Sequence, residues 1–291
     1  MTHWIPQATQ DGSYTFFSSE FGETFHSLAG AKAEAFQKFS EATHLAARAA
    51  SPSLRLLDVC YGLGYNTAAA LETIWAVNPH CHIELYGLEL DPTVPAGALT
   101  PELLSCWSSP VQAILQTLGQ THHHKCDRLH AALLLGDARQ TVQLLLQKGF
   151  QADAIFFDPF SPQRCPQLWS VEFFQAIAGA LASDGILSTY SRSAAVRTAL
   201  REVGLYIGTL APSEAALPHE WSQGTVAAWR AEMLPPLSQM EQEHLRTRAS
   251  IPYRDPALTD SRDTILERHK QEQQTSDLES TSSWRRRWKI R

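Results

Sequence analysis

The alternation of apolar and polar residues becomes regular after residue 53, where short apolar runs begin to alternate with amphipathic stretches. The apolar runs predict buried strands, and the stretches between them have helical spacing. Strands are predicted at 54–60, 82–88, 130–135, 154–157, 185–190, 205–210 and 225–229. This pattern indicates an α/β fold with a mostly parallel sheet of seven strands. Because no helical pattern joins the last two strands, one of them is expected to run antiparallel at the sheet edge.

The regular pattern has an addition at each end and one interruption. Residues 1–50 predict a hairpin around Gly22 followed by a helix, and we expect both to pack on the core. Residues 51–234 form the predicted α/β domain, in which 91–127 is a helical insertion that is expected to pack over the site. Residues 235–291 are polar and rich in Pro, Gln and Ser, so this C-terminal tail is expected to be less ordered.

The composition is that of an ordinary globular protein, with 44% apolar and 19% charged residues. The sequence has no run of eighteen apolar residues and no basic-then-apolar leader, so we expect neither a membrane span nor a signal peptide. Five scattered cysteines without a CxxC pair favour reduced thiols in the cytoplasm over disulfides or zinc. Residues 122–124 are three histidines without partners at zinc spacing, so they are interpreted as a polar loop and no metal is predicted.

The net charge of −6 is unevenly distributed along the chain. Residues 235–291 carry a net charge of +2, and the remainder carries −8. The last eight residues, WRRRWKIR, could bind phosphates and stack on bases. A solvated or dimer-docking terminus is the slightly favoured alternative for such a tail.

The first chemical motif is the stretch LRLLDVCYGLGYNT at residues 54–67. A strand that carries Asp58 ends, Gly62 and Gly64 follow, and a helix begins. The two glycines allow a tight turn that can lie against a ligand. Thr67 occupies the position at which a dinucleotide fingerprint would have its third glycine. We therefore predict S-adenosylmethionine as the cofactor, with Tyr61 lining the turn.

Two further acids stand at the ends of predicted strands. Glu89 ends the second strand, where an acid commonly binds ribose hydroxyls, whereas Asp91 is interpreted as a helix cap. Asp137 follows the third strand, and with Ala138 it begins the next helix. Asp137 is either an N-cap or an acceptor for the adenine amino group, and the two interpretations are about equally favoured. Carboxyl ends of successive strands are where ligands of open α/β sheets bind.

The most informative stretch is DAIFFDPFSPQRCPQLW at residues 153–169. A buried strand delivers Asp158 to the sheet edge, and a carboxylate there is costly unless it is paired or faces a ligand. An Asp-Pro-aromatic turn after the fourth strand is similar to the motif of methyltransferases that act on amino groups. Asp158 would hold the amine, direct its lone pair at the sulfonium methyl and take the released proton.

The residues around Asp158 resemble the methyltransferase part of the MnmC family, which makes the methylaminomethyl group of the tRNA wobble uridine. The similarity spans about residues 14–229. It rests on Glu23, Thr24, Gly62, Gly64, Asn66, Asp158, Phe160, Ser161, Pro162, Pro166, Leu168 and Trp169. The resemblance implies a Rossmann-like class I methyltransferase that converts 5-aminomethyl(-2-thio)uridine in tRNA to its methylaminomethyl form.

The resemblance also implies roles for individual residues. Asp158 would be the catalytic carboxylate. The cofactor would be bound by Asp58, Tyr61, Gly62, Gly64, Asn66, Glu89, Asp137, Ala138 and Asp158. The substrate would be contacted by Glu23, Phe160, Ser161, Pro162 and Trp169.

The sequence departs from the family pattern in ways that leave alternatives open. Pro159 stands where the family has a small Gly or Ala. A separate departure is that no glycine-rich dinucleotide fingerprint follows residue 230. We therefore expect neither oxidase activity nor FAD. One alternative is a methyltransferase of the same fold that acts on another amine or a small molecule. A second is a non-catalytic RNA-binding protein. An aminopropyltransferase would be expected to have a more glycine-rich first turn and further acids near Asp158, and this sequence lacks both features.

Overall fold

The central element of the computed structural model is a twisted β-sheet. The structure describes residues 4–212 and 221–290, and within these ranges the sheet has eight strands. The strands of the chain are β1 Gln7–Ala8, β2 Tyr14–Thr15, β3 Phe17–Ser18, β4 Glu23–Thr24, β5 Ser53–Val59, β6 His82–Glu89, β7 His123–Cys126, β8 Leu129–Leu135, β9 Ala152–Phe157, β10 Leu181–Thr189, β11 Tyr206–Leu210 and β12 Gly224–Ala228. Their order in the large sheet is β11-β12-β10-β9-β5-β6-β8-β7.

Helices cover both faces of this sheet. They are α1 Ala31–Ala35, α2 Leu45–Arg48, α3 Tyr65–Val77, α4 Thr93–Gly97, α5 Pro101–Leu104, α6 Ser109–Thr121, α7 Ala138–Gln147, α8 Val171–Gly179, α9 Ala194–Glu202, α10 Gln239–His244, α11 Arg262–Thr275 and α12 Thr281–Arg287. A π-helical turn, Phe36–Glu41, follows α1 directly and leads to α2. A 3₁₀ turn, Pro166–Trp169, precedes α8.

Consecutive strand residues bury their side chains on opposite faces of the sheet. Leu56 and Phe156 belong to the core layer that contains α3 and α6, whereas Leu57 and Phe157 belong to the layer that contains α7, α8 and α9. This alternation explains the unbroken apolar runs, because a parallel strand covered on both faces needs apolar residues at every position.

The predicted α/β fold is confirmed, with one correction to the number of strands. The sheet has an additional edge strand, β7, in the stretch that was interpreted as a polar loop. It pairs antiparallel with β8, so that His123 lies opposite Ala132. Its polar residues give no alternating pattern because an edge strand is largely solvated, which is why the sequence did not reveal it.

The antiparallel strand that was expected near the sheet edge is β12. It runs antiparallel to both β10 and β11 and lies between them, so it is the penultimate strand rather than the last. The hairpin predicted near Gly22 corresponds to the pair β3 and β4. Among the helices of the described residues, none has the length and apolar character that a membrane span requires.

The C-terminal tail differs most from its prediction. Residues 235–290, called the C-terminal segment below, contain α10, α11 and α12 and pack on the core. Glu241 forms a fully buried ion pair with Arg197 of α9, with 2.8 Å between Oε1 and Nη1. Buried Asp255 accepts a hydrogen bond from Arg139 of α7 at 2.7 Å. The expectation of weaker order was wrong because a few buried side chains anchor a segment that is otherwise polar on average.

Candidate active site

A cavity opens at the carboxyl ends of β5, β6, β8 and β9. Of the predicted site residues, it is lined by Gly62, Glu89, Asp137, Ala138, Asp158 and Phe160. Apolar side chains of Leu88, Leu90 and Val94 form much of the remaining wall. We call this space the cofactor cavity.

The turn after β5 presents backbone to the cofactor cavity. Gly62 and Gly64 both have positive φ, 54° and 78°, which favours glycine. A Cβ atom at Gly62 would lie 3.3 Å from the ring of Phe25, so this position is also sterically tight. The absence of a side chain at Gly62 leaves its backbone as the wall of the cavity.

Glu89 braces this turn from the end of β6. Its Oε2 accepts a hydrogen bond from the Gly62 N–H at 2.8 Å, and its Oε1 accepts one from the Asp91 N–H at 2.9 Å. Burial raises the pKa of this carboxyl, while the backbone N–H donors lower it. Glu89 therefore presents a polar, well-oriented group to an otherwise apolar stretch of the cavity wall.

Asp137 acts as the N-cap of α7. Its Oδ1 accepts a hydrogen bond from the Arg139 N–H at 2.9 Å, and its Oδ2 lies 2.7 Å from Arg139 Nη2. The same guanidinium reaches Asp255 of the C-terminal segment. Asp137 keeps a side-chain exposure of 37% and lines the cofactor cavity beside Ala138, so capping leaves it accessible to a ligand.

Asp158 lies where the cofactor cavity meets a second opening. Its backbone N–H donates to the carbonyl of Val59 at 3.1 Å, which continues the pairing of β9 with β5 for one residue. Its Oδ2 accepts a hydrogen bond from Asn66 Nδ2 at 2.9 Å. Burial, with a smaller contribution from the nearby Glu34 carboxylate, raises the pKa of Asp158 to about 8. A carboxyl group in this range can exchange a proton near neutral pH.

The second opening is called the entrance cleft. It is lined by Glu23, Thr24, Phe25, His26, Ser27, Glu34, Lys38, Asp158, Pro159, Phe160, Ser161 and Tyr190. The side chain of Glu23 accepts hydrogen bonds from the Ser161 N–H at 3.0 Å and from its hydroxyl at 2.5 Å. The ring of Phe160 stacks on that of Phe21, with centroids 4.3 Å apart. The N-terminal hairpin thus fixes the turn that follows Asp158.

Several residues predicted to bind the cofactor do not line the cofactor cavity. Asp58 is fully buried and accepts a hydrogen bond from the Thr67 hydroxyl at 2.7 Å, and burial raises its pKa to about 7. Tyr61 is buried against Gly87 and Gly64, where a Cβ at Gly64 would meet its hydroxyl. Asn66 is also buried, and it reaches the site only through its hydrogen bond to Asp158. Gly64 is likewise absent from the cavity wall. In this structure these residues support the turn, and their contact with the cofactor stays a prediction.

Two residues predicted to touch the substrate lie behind the cleft wall. Trp169 is fully buried and donates from Nε1 to the Phe160 carbonyl at 2.8 Å. Pro162 is partly buried and lines neither the cofactor cavity nor the entrance cleft. Both shape the turn in this structure, and their contact with the substrate stays a prediction. Glu23, Phe160 and Ser161, in contrast, face the entrance cleft.

Other residues on these walls were not predicted. Phe21 and Phe25 reach the cofactor cavity from the N-terminal hairpin, and Lys38 reaches the entrance cleft from the π-helical turn, paired with Glu34 at 2.5 Å. The aromatic residues of SYTFFSSEFGETFH were a signal, but the sequence did not show where the hairpin packs. Among residues 4–212 and 221–290, no group of three or more His, Cys, Asp or Glu side chains could hold a metal ion.

Comparison with known proteins identifies the fold and the family. A family described as S-adenosyl-L-methionine-dependent methyltransferases matches residues 101–212. The crystal structure of MnmC2 from Aquifex aeolicus is similar over 95% of this chain and 87% of that chain, with 30% identity and a TM-score of 0.82. This chain belongs to the MnmC-like methyltransferase family. The resemblance in the sequence, the fold class and the predicted cofactor, S-adenosylmethionine, are thereby confirmed.

Two other relatives show how far this family similarity extends. The bifunctional tRNA 5-methylaminomethyl-2-thiouridine biosynthesis protein MnmC of Aromatoleum aromaticum is 31% identical over 67% of this chain and 31% of its own length. An uncharacterized protein of Methanocaldococcus jannaschii is 26% identical over 89% of this chain and 69% of its own length. The chain thus spans about a third of that bifunctional relative.

The residues of the cofactor cavity fit S-adenosylmethionine, which the MnmC-like methyltransferases use. Its apolar wall and the backbone of Gly62 provide a surface for an apolar part of the cofactor, and Glu89 and Asp137 provide acceptors. Hydroxyl and amino groups of a nucleoside are donors that suit such carboxylates. Asp158 stands at the exit of the cavity, where the transferable methyl group would have to meet its acceptor.

Proposed function

We propose that this MnmC-like protein methylates the amino group of 5-aminomethyl(-2-thio)uridine at the wobble position of tRNA. The observation that supports this proposal most is the position of Asp158, which lines both the cofactor cavity and the entrance cleft. The family relationship adds the substrate, because the bifunctional relatives are named for tRNA 5-methylaminomethyl-2-thiouridine biosynthesis.

We assign the cofactor to Gly62, Glu89, Asp137 and Ala138. Gly62 would contact it through the backbone, Glu89 would accept hydrogen bonds from the ribose, and Asp137 with Ala138 would contact the adenine. When bound, S-adenosylmethionine supplies an electrophilic methyl group on a sulfonium. The protein must then hold the amine in line and exclude water.

Asp158 has two tasks in this proposal. It orients the amine through a hydrogen bond, and its carboxylate takes the proton that the nitrogen loses as the new N–C bond forms and the S–C bond breaks. The raised pKa of about 8 suits the second task, because a proton acceptor works best when its pKa lies near the working pH. Asn66 keeps one oxygen of Asp158 oriented while the other remains available.

We assign the uracil ring to the aromatic wall of the entrance cleft. Phe160 faces this cleft and is held by Phe21, by Trp169 behind it, and by the bonds between Glu23 and Ser161. Aromatic side chains are the usual contacts of an extruded base. Ser161 and Glu23 would provide polar contacts at the edge of the ring.

A second candidate is methylation of an amine that is not part of RNA. The carboxylates of Glu23 and Glu34 along the entrance cleft favour it, because they would attract a small cationic amine. A non-catalytic RNA-binding protein is less favoured, because it has no use for a carboxyl with a raised pKa between the two openings.

The test is methyl transfer from labelled S-adenosylmethionine to tRNA that carries 5-aminomethyl(-2-thio)uridine, with the product nucleoside identified by mass spectrometry. Asp158→Asn is expected to lower the rate by about 10²- to 10⁴-fold, since it removes the proton acceptor. Its affinity for S-adenosylmethionine, measured by calorimetry, should change little.

The matched control is Asp153→Asn, at the opposite end of β9. Asp153 accepts a hydrogen bond from the Arg55 N–H at 2.7 Å, far along the strand from the cavity. This variant should methylate tRNA at the wild-type rate. A wild-type protein that binds the cofactor but leaves this tRNA unlabelled would contradict the proposal and favour the small-amine alternative.

A further inference from the structure

A third opening lies beside the entrance cleft and contains no carboxylate among its described lining residues. It is lined by Tyr190, Ser191, Arg192, Ser193, Trp221, His244, Trp284, Arg285 and Ile290. We call it the basic cleft. Tyr190 lines both clefts, and its hydroxyl donates to the carbonyl of Pro159, next to Asp158, at 2.8 Å. The basic cleft is therefore adjacent to the turn that carries Asp158.

The described residues that line the basic cleft carry positive charge, in contrast to the negative net charge of the protein. Two guanidinium groups line it, Arg192 and Arg285, in a chain with a net charge of −6. His244 adds no charge at neutral pH, because burial and the surrounding arginines lower its pKa to about 4. The positive potential of this cleft therefore comes from guanidinium groups, which bind phosphate well.

Aromatic rings form the other part of the basic cleft. Trp284 is buried, with 2% of its surface exposed, and its ring stacks on His244 with 4.0 Å between centroids. Trp221 is partly exposed, and the Arg192 guanidinium lies 5.0 Å from its ring. Trp284 thus anchors α12, whereas the ring of Trp221 keeps part of its surface accessible to a planar group.

Buried contacts with the C-terminal segment support this arrangement. The buried pair of Arg197 and Glu241 lies behind it, and the Arg197 guanidinium is 5.7 Å from the ring of Trp221. Arg197 also donates to the hydroxyl of Thr225 at 2.9 Å and to the carbonyl of Gly224 at 3.1 Å. A preformed site loses little conformational freedom when it binds a ligand.

We propose that the basic cleft binds a nucleotide that neighbours the reacting uridine, with its phosphate on Arg192 and Arg285 and its base against Trp221. This inference rests on the proposed function, which places a base in the entrance cleft. Glu23 and Glu34 place carboxylates along that cleft, the second of them paired with Lys38, and neither carboxylate attracts phosphate. The RNA backbone therefore needs a different path out of that cleft. The basic cleft, which shares Tyr190 with it, provides that path.

The test compares Arg285→Gln with Arg286→Gln. Both arginines are exposed on α12, but Arg285 lines the basic cleft and Arg286 does not, while the change in net charge is the same. Binding of a fluorescent anticodon stem-loop hairpin RNA would be measured by anisotropy at several salt concentrations. Arg285→Gln should weaken binding about tenfold and reduce the salt slope by roughly 0.7–0.9, the value for one lost phosphate contact. Arg286→Gln should change the affinity less than twofold.

Kinetics with the full tRNA provide a second measurement. Arg285→Gln should raise KM about tenfold and leave kcat unchanged, because the variant loses binding that is equal in the ground and transition states. Arg192→Gln should behave in the same way, with its melting temperature as a check on folding.

Several outcomes would overturn the proposal. Equal losses in Arg285→Gln and Arg286→Gln would indicate diffuse attraction, and unchanged hairpin binding in Arg285→Gln would exclude the cleft. Competition by polyaspartate as strong as by RNA would indicate an acidic protein partner instead. If hairpin binding depends on Arg285 but no methyl group reaches tRNA, the basic cleft stands and the proposed reaction fails.

Discussion

The cofactor cavity and the basic cleft lie at the same end of the sheet, yet they are built in opposite ways. The first has carboxylates at strand ends, and Glu89 and Asp137 are held there by backbone hydrogen bonds and a helix cap. The second has guanidinium groups and tryptophans on a loop and a C-terminal helix. The first belongs to the α/β fold itself, and the second depends on a segment added to it.

This difference separates two tasks that one surface would perform poorly. Carboxylates suit hydroxyl, amino and cationic groups, but they repel a phosphate backbone. Guanidinium groups attract that backbone but repel a cationic amine. The carboxylates of the entrance cleft and the guanidinium groups of the basic cleft lie on either side of Tyr190, which allows both kinds of recognition within one substrate.

The largest expected effect comes from breaking the anchor of the basic cleft. Glu241→Leu should lower the free energy of unfolding by about 3–5 kcal/mol, because it leaves the Arg197 guanidinium buried without its partner. Urea denaturation measures this change. The double variant Arg197→Met with Glu241→Leu should recover most of the loss. A double variant as unstable as Glu241→Leu would show that packing, rather than the unpaired charge, causes the effect.

A somewhat smaller effect is expected on the acidic side. Glu89→Ala should weaken binding of S-adenosylmethionine by about 10- to 100-fold, the size of one or two hydrogen bonds to a charged group. Isothermal calorimetry measures this affinity. The control is Glu84→Ala on the same strand, where the carboxylate accepts a hydrogen bond from the Tyr86 hydroxyl. Equal losses in both variants would contradict a specific role for Glu89.

The pH dependence of the reaction tests the role of Asp158. In the free protein its carboxyl is neutral below a pKa of about 8 and cannot accept a proton, so kcat/KM should rise about tenfold between pH 7 and pH 9. The residual activity of Asp158→Asn should lack this rise. If the variant shows the same rise, ionisation of the amine substrate, rather than Asp158, controls the profile.

The smallest effect concerns stability. The folded-state pKa of Asp158 lies above its ordinary value of 3.8, so the folded protein retains a proton that the unfolded chain loses as the pH rises from about 4 to 8. Wild-type stability therefore decreases over this range. Asp158→Asn has no buried carboxyl that must lose a proton as the pH rises. It should therefore be more stable than wild type by about 1–2 kcal/mol at pH 9, allowing for solvent screening. The two proteins should be about equally stable near pH 3.

Strand ends made the cofactor cavity predictable from sequence. Apolar runs that stop at an acid gave Glu89, Asp137 and Asp158, because parallel strands end at one edge of the sheet. The sequence did not show in which direction the neighbouring side chains point. Tyr61 belongs to the turn by position, but its ring packs under Gly64 and away from the cavity. Asp58 is directed into the core instead, where it holds Thr67.

The additions to the fold were harder to predict. Phe21 and Phe25 enter the cofactor cavity through long-range packing of the hairpin, for which local sequence gives no rule. The C-terminal segment is polar on average, so its composition suggested weak order. Its anchors are single residues, such as Glu241 and Trp284, whose partners are distant in the sequence. The contrast between its buried Trp284 and its exposed Arg285 also appears only in three dimensions.

Arg139 joins the cofactor cavity to the C-terminal segment. Its guanidinium binds Asp137 on the cavity wall and Asp255 of that segment, each at 2.7 Å. A ligand that favours one position of Asp137 must therefore also favour one position of Arg139. Through Arg139 it would stabilise the residues around Asp255. Thermodynamic linkage is reciprocal, so tighter closure of that segment would raise cofactor affinity by the same factor. Slower amide exchange near Asp255 after cofactor binding would be the measurable sign of this shared free energy.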